Sequence, residues 1–532
     1  MINHWFVTRP KRRLVLLVDA LKAFMAVAQG EVWRGNRALH LLYEDALETA
    51  GVKAPGERRD QRAGGGRTYA AWLYAYGLWF EDSDGRVWPT FAGQDLLEGR
   101  QPMDILLYQL LNFQYPSPYS QSKGVKIHDR FHRIFPFRFL LKLLLEPRLG
   151  GILRQREIGL YVITRAENER SYDRIVEDIE TDRTLGSSDA NISALLGDGW
   201  QRHYTKRGNV GELYDVANTF ICNLEFTGLI DRTDEPGTIK IRDGKEDIVR
   251  TLLSRQPTFL NSWDRPEVFQ RKYGLGPHHL RDNRRFGQVR PITRGDAEAK
   301  KVVWTYYAIT ANEPLIQLDD RLYQRISEQT GVQLNRTLEI IEGLGVAPSY
   351  EWFEERYIQL AYSGPEGAKA FEKATAGIFG ENGLGFKTEW IGTRPNSPDV
   401  LVLAIPENQD GYFGILDSKA YKDYNLPGDH QRRMFVEYIP RYRTLNYSGQ
   451  TLQLKFFGYI AGGFQGDMAS KLQRIADRSN VSGFAMSAKN VVKLVRKHRE
   501  NPFTQEELLR IFNLNDEVCE AEFSSTGAVY EA

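Results

Sequence analysis

Residues 398–421 read Pro-Asp-Val-Leu-Val-Leu-Ala-Ile-Pro-Glu-Asn-Gln-Asp-Gly-Tyr-Phe-Gly-Ile-Leu-Asp-Ser-Lys-Ala-Tyr. Two apolar runs, Val400–Ala404 and Tyr412–Ala420, flank the polar turn Glu407-Asn408-Gln409-Asp410-Gly411 and predict a β-hairpin. Side chains alternate along a strand, so Asp417 and Lys419 face one way and Ser418 the other. Asp399, at the start of the partner strand, brings a second carboxylate beside that of Asp417. Two hard oxygen donors and an ammonium then converge at a strand end. Such a set can hold Mg²⁺ against a phosphodiester and orient a water for in-line attack.

The bare spacing, Pro-Asp followed by Asp/Glu-x-Lys, arises often by chance, and the sequence after Lys419 makes it specific. Ala420-Tyr421-Lys422-Asp423-Tyr424-Asn425-Leu426-Pro427 leads into a predicted helix over 431–438. A strand-like run, Gln453–Ile460, precedes Gly462-Gly463-Phe464-Gln465-Gly466, a helix from Asp467 to about Arg478, and a short buried strand, Gly483-Phe484-Ala485-Met486. In order and spacing, residues from about 365 to 515 resemble the cleavage domain of type IIS restriction endonucleases of the FokI kind, within the PD-(D/E)XK nuclease superfamily. The resemblance implies that Asp399, Asp417 and the backbone carbonyl of Ser418 ligate Mg²⁺. It makes Lys419 the group that polarises the attacking water and stabilises charge on the phosphate. It also makes Glu372, on a helix predicted over 367–379, an accessory carboxylate; the plainer reading is a surface glutamate on an amphipathic helix. One feature departs from the pattern. The best-known relative dimerises its cleavage domains through an Asp and an Arg on the helix after the Asn-Leu-Pro turn. This chain has Arg432 and Val436 there, so the same ion pair cannot form.

The 532 residues are 42% apolar and 26% charged, as in a globular protein of several domains with ample core. Cys222 and Cys519 lie far apart with no metal-ligand neighbours, which predicts reduced thiols and a cytoplasmic protein. Met1–Arg13 shows no signal-peptide pattern, and the apolar runs Leu14–Val18 and Phe137–Leu145 are too short to span a bilayer, so no membrane partner is expected. His128 and His132 have helical spacing but no third ligand, which favours a solvated or phosphate-facing pair over zinc. There is no Walker A loop, Rossmann fingerprint or Cys₂–Cys₂ finger, so hydrolysis of DNA should need a divalent ion and no nucleotide.

A net charge of +1 does not itself argue for nucleic acid, but its distribution does. Arg58, Arg59, Arg62 and Arg67 surround a Gly64-Gly65-Gly66 loop, and Lys123, Lys126, Arg130 and Arg133 cluster with His128 and His132. A third basic stretch, 265–294, includes Arg284 and Arg285. These are the candidate contacts to double-stranded DNA, with Arg62, Arg67, Lys126 and Arg130 the candidates for reading bases. A charge run is commonly no more than a solvated face.

Residues 1–150 predict helices over Leu14–Gln29, through His40 to Thr49, and over Thr68–Tyr76, then a hairpin across Asp82-Ser83-Asp84-Gly85 and a helix opened by Thr90. Helices followed by a β-wing describe a winged-helix-like DNA recognition domain. Residues 151–258 repeat the grammar, with a helix over Glu212–Glu225, a strand Thr238–Ile241 and a helix Lys245–Ser254. Residues 259–345 read as a basic, helical linker (Ala297–Ala308, Asp319–Glu342), and 346–532 as the nuclease domain. The N-terminal half also resembles the recognition region of the AlwI-like and GAGTC-type nicking group, at Trp33-Arg34-Gly35, Tyr76-Gly77-Leu78, Thr90-x-x-Gly93 and Leu110–Ser117. That likeness implies two winged-helix-like subdomains that read an asymmetric site.

The expected fold is a multidomain mixture of α+β and α/β: tandem winged-helix-like domains, a helical linker and a PD-(D/E)XK α/β domain. The expected function is that of a type IIS restriction endonuclease cutting at a fixed distance from its site with Mg²⁺. Its expected partners are double-stranded DNA and either a transient homodimer through the nuclease domain or a separate small nuclease subunit. Two alternatives remain open. One is a strand-specific nicking enzyme, or the large subunit of a heterodimeric one. The other is a DNA-binding adaptor or transposition subunit with an inactive nuclease domain.

Overall fold

The computed structural model describes residues 2–53, 64–122, 125, 127, 132–186, 188–205, 208–233, 235–285, 298–299, 301–303, 305–306, 309, 320–343, 350–381, 383–405 and 411–524. The chain forms two compact units, residues 1–300 and 301–532. No helix among the described residues is long and apolar enough to cross a membrane.

In the first unit α1 (Leu17–Ala28), α2 (Arg37–Thr49) and α3 (Gly64–Ala75) precede an antiparallel hairpin of β1 (Trp79–Glu81) and β2 (Val87–Pro89). Then come α4 (Phe91–Leu97), α5 (Pro102–Leu111) and α6 (Pro136–Leu144). Phe24 of α1 anchors the first core, its ring 4.9 Å from that of Trp33 and 5.0 Å from those of Tyr43 and Trp79. Thr90 caps α4 as expected: its Oγ1 accepts the Gly93 N–H at 3.1 Å and donates to the Gly77 carbonyl at 2.6 Å. Gly93 presses on the backbone of Leu78, whose carbonyl oxygen would lie 2.0 Å from a Cβ there. Backbone cannot yield as a side chain does, so Gly93→Ala should destabilise this unit by about 3 kcal/mol. Its guanidinium unfolding midpoint should fall, and an unchanged midpoint would mean that the contact relaxes.

The Gly64-Gly65-Gly66 stretch, expected as a loop, is instead the first turn of α3. Gly66 N–H donates to Glu44 Oε1 at 2.8 Å, and a Cβ on Gly66 would lie 2.6 Å from the His40 carbonyl. The glycine therefore serves a close crossing of α2 and α3. A further strand not expected from the sequence, β3 (Ile152–Arg154), joins β4 (Ile230–Arg232) and β5 (Thr238–Ile241) in a sheet ordered β3-β5-β4. A strand this short shows too little alternation to be recognised. Trp5 packs against Phe139 and Phe220 and donates from Nε1 to the Ala166 carbonyl at 2.7 Å, tying residues on both sides of position 150 into one core. The segment read as linker opens with a helix, Pro266–Tyr273, that buries Phe269 and Tyr273 in this same unit.

The second unit is built on a six-stranded sheet ordered β11-β10-β8-β7-β6, with β9 off β10. The strands are β6 (Lys387–Trp390), β7 (Val400–Ala404), β8 (Tyr412–Lys419), β9 (Thr444–Tyr447), β10 (Gln450–Ala461) and β11 (Ser482–Ser487). β7 and β8 are the expected antiparallel pair, while β10 runs parallel to both β8 and β11. Helices cover both faces, which is why the central strands are continuously apolar. Val400, Val402, Leu416, Phe456 and Phe484 pack towards the Ala368–Phe379 and Ala488–Glu500 helices. Leu401, Leu403, Ile415, Phe457 and Tyr459 pack towards the Met468–Ser479 helix and the 428–441 segment. Two helices differ from expectation. That expected over 319–342 is broken into Asp320–Thr330 and Leu334–Gly343 by Gly331, at φ +70°. That expected over 431–438 starts at Gly428 and widens into a π turn over Met434–Tyr438, just before Pro440, which has no N–H to give.

Candidate active site

The β7–β8 pairing sets the geometry. Val400 opposes Leu416, and one step further the Asp399 N–H donates to the Leu416 carbonyl at 2.9 Å. Asp399 thereby comes level with Asp417, and its Oδ2 accepts the Ser418 N–H at 2.6 Å. Lys419 Nζ donates to Asp417 Oδ1 at 2.5 Å, as their shared strand face requires. Ser418 points to the other face, where its Oγ is buried. Glu372, on the Ala368–Phe379 helix, is half-buried rather than solvated. It accepts from Trp390 Nε1 at 3.1 Å and lies within electrostatic reach of Asp399, Asp417 and Lys419.

Charge at this strand end is unbalanced. Burial, and then the neighbouring charge of Asp417, hold the Asp399 carboxyl far above the usual carboxylate range. Burial also raises Glu372, partly offset by the Trp390 hydrogen bond. For Lys419 burial works against the charge, but Asp417 and Asp399 outweigh it and keep the ammonium above its ordinary value. Three carboxyl groups thus crowd a poorly solvated place beside Lys419, and a divalent ion would favour their charged forms there. Among the described residues no three His, Cys, Asp or Glu side chains group closely enough to chelate an ion by themselves. The donor set therefore suits Mg²⁺, which commonly takes one or two carboxylates and completes its shell with water and phosphate oxygens.

Tyr424, His430 and Tyr438 border the same site, and sequence reading assigned them nothing. Tyr424 OH and His430 Nδ1 lie 2.6 Å apart, and both tyrosines feel the charge of Asp417. The Tyr-Asn-Leu-Pro turn after β8 was their one signal.

Of the candidate DNA contacts, Arg58, Arg59, Arg62, Lys123, Lys126 and Arg130 lie outside the described residues, as does His128. Arg67 is exposed on α3, and Arg285 is exposed as well. The Arg284 guanidinium is engaged within the unit, 2.8 Å from Asp282, 2.8 Å from Gln94 Oε1 and 3.9 Å from the Phe91 ring centroid. His132, expected in a solvated or phosphate-facing pair with helical spacing, is buried beside Tyr115 outside any helix.

Comparison with known families gives two matches in chain order. Residues 98–261 match the N-terminal domain of the type II restriction endonuclease HgaI, and residues 333–519 match the FokI cleavage domain. Two segments of the chain thus match domains of restriction endonucleases. The C-terminal match is to a FokI-type cleavage domain, and the one before it is to a restriction-enzyme N-terminal domain, that of HgaI. Among solved structures, restriction endonuclease FokI aligns at 13% identity over 97% of this chain and 99% of its own, with a TM-score of 0.29. FokI bound to DNA aligns at 14% identity over 97% and 98%, also at 0.29. The BpuJ1 endonuclease binding domain, in complex with pyrene- and phenanthrene-modified DNA, aligns at 13% over 51% and 96%, at 0.32. A search of curated proteins gives no match.

Proposed function

We propose that this protein is a type IIS restriction endonuclease. It binds a short asymmetric site in duplex DNA through residues 1 to about 260 and hydrolyses phosphodiesters at a fixed distance outside it, using Mg²⁺. The observation that carries this reading is the meeting of Asp399, Asp417 and Lys419 within a segment that matches a FokI-type cleavage domain. Asp399, Asp417 and the Ser418 carbonyl would hold the metal, which when bound neutralises phosphate charge and makes a bound water more acidic. Lys419, held by Asp417, orients the attacking water and stabilises charge growing on the phosphate. Glu372, fixed by Trp390, supports that arrangement from outside. Glu372→Gln should lower the cleavage rate about ten-fold with DNA affinity unchanged, and a fully active variant would remove Glu372 from the site.

The division that goes with this reading is two winged-helix-like recognition domains, 1–150 and 151–258, a linker, 259–345, and a nuclease domain, 346–532. Its place of action is the cytoplasm, where its substrate is found. Digestion of supercoiled plasmid with Mg²⁺ tests the proposal: linear product is expected, with run-off sequencing showing one offset from one shared sequence. Persistent open circle would instead establish a strand-specific nicking enzyme, or a large subunit awaiting a small one. One observation favours that second reading, since Arg432 and the exposed Val436 cannot make the ion pair by which the best-known relative dimerises. Binding with no cutting would leave a DNA-binding adaptor with an inactive nuclease domain.

A further inference from the structure

α6 is apolar and buried at every position but two. Those two, Arg138 and Lys142, stand one helical turn apart on one face, and that face lines a cleft of about 760 Å³ in the first unit. Leu253, Gln256, Pro257 and Phe259 also line it, as do Arg133, Asn168, Glu169 and Arg170. Four cations and one carboxylate thus face a single concavity in a chain whose net charge is only +1.

The wall is built to hold its shape. Arg138 Nη2 donates to the carbonyls of Leu252, Leu253 and Arg255 at 3.1, 2.9 and 2.7 Å, closing the C-terminal end of the Glu246–Ser254 helix. Phe259 meets Phe135 edge to face at 5.6 Å, and the Arg133 guanidinium lies over the Phe259 ring at 4.2 Å. Lys142 pairs with Glu169 at 3.3 Å, but the two side chains are 46% and 60% exposed. Water weakens such a pair, so a stronger anion can displace it. Arg170 is exposed. Arg138 is therefore the structural member of the set. Arg133 donates to Asn261 Oδ1 at 3.0 Å and stacks on Phe259, and Lys142 also lies 3.9 Å from the Tyr172 ring centroid. Both nonetheless stay exposed at the cleft, as does Arg170.

We infer that this cleft holds the sugar-phosphate backbone of duplex DNA, with Arg133, Lys142 and Arg170 as its phosphate contacts. The inference rests on the reading of the protein as a restriction endonuclease. It places the DNA on Lys142 and Arg170, which lie outside the basic runs of the sequence, together with Arg133, the described Lys/Arg of the run 123–133. Rigidly backed cations around a concave surface suit a polyanion of fixed shape, and each phosphate they neutralise releases condensed counterions.

The test uses the full-length protein in metal-free buffer, where no cutting occurs, and a random-sequence duplex followed by fluorescence anisotropy over a range of salt. The triple variant Arg133→Ala/Lys142→Ala/Arg170→Ala should bind about 100-fold more weakly at moderate salt, and its plot of log affinity against log salt should be shallower by about 3. Arg170→Glu, at an exposed position that folding does not need, should alone weaken binding about ten-fold. Wild-type affinity and slope in both variants, with a wild-type protein that binds and cuts DNA, would overturn the cleft and leave the proposed function standing. So would a loss of affinity at unchanged slope, which would mean damage to the fold rather than lost phosphate contacts. A wild-type protein that neither binds duplex nor cuts plasmid would overturn the functional reading itself.

Discussion

Asp417→Ala and Lys419→Ala should each reduce Mg²⁺-dependent cleavage by about 10³-fold or more, roughly 4 kcal/mol of lost transition-state stabilisation, with duplex binding unchanged. The two substitutions should fail for different reasons. Without Asp417 the site keeps one buried carboxylate, and the Lys419 ammonium loses the partner that fixes it at 2.5 Å. Metal affinity should then fall together with the rate. Without Lys419 the carboxylates lose the cation hydrogen-bonded to Asp417, so metal should bind at least as tightly while the water goes unpolarised. Isothermal titration with Mg²⁺ alongside single-turnover cleavage separates the two. Cleavage near the wild-type rate in Lys419→Ala would rule that side chain out of the chemistry.

The second large effect concerns pH. Burial, then Asp417, push the Asp399 carboxyl up to about 9 in the metal-free protein. Its folded value is thus raised above the unfolded one, so the folded state binds the proton more strongly. The contribution of Asp399 to the stability of the metal-free cleavage unit should be full below the unfolded carboxyl range and be lost as pH rises towards 9. Mg²⁺ must displace that proton. Apparent metal affinity should therefore rise by up to ten-fold per pH unit through the neutral range, with on the order of one proton released per ion. Titrations in buffers of different ionisation enthalpy measure that proton directly. Asp399→Asn should abolish the release and the cleavage together, yet stabilise the metal-free unit at pH 8 by about 2 kcal/mol, because the amide needs no proton taken up on folding. Heats that do not depend on the buffer would show that Asp399 is already ionised before metal arrives.

Reading the chain in one dimension reached some parts of this molecule and not others. The β7–β8 hairpin and the meeting of Asp399, Asp417 and Lys419 were legible because strand alternation is local and has a period of two residues. The Thr90 cap was legible for a similar reason, since its hydrogen bond spans three residues. Gly64–Gly66 was misread as a loop because the demand for glycine comes from α2, some twenty positions away, and not from its own neighbours. The continuous helix expected over 319–342 overlooked how readily a glycine such as Gly331 ends one.

By itself the sequence determined the central strands, the Thr90 cap, and which carboxylates and which lysine share an edge, because each depends on periodicities and caps a few residues long. Only the tertiary structure decided that Glu372 comes within reach of that edge from a separate helix, and that Tyr424, His430 and Tyr438 border it. It also decided that Arg133, Arg138, Lys142 and Arg170 surround one cleft while Arg284 is engaged by Asp282, Gln94 and Phe91. Charge counts along a chain do not say which cations meet, because that depends on how buried faces pack across long separations in sequence.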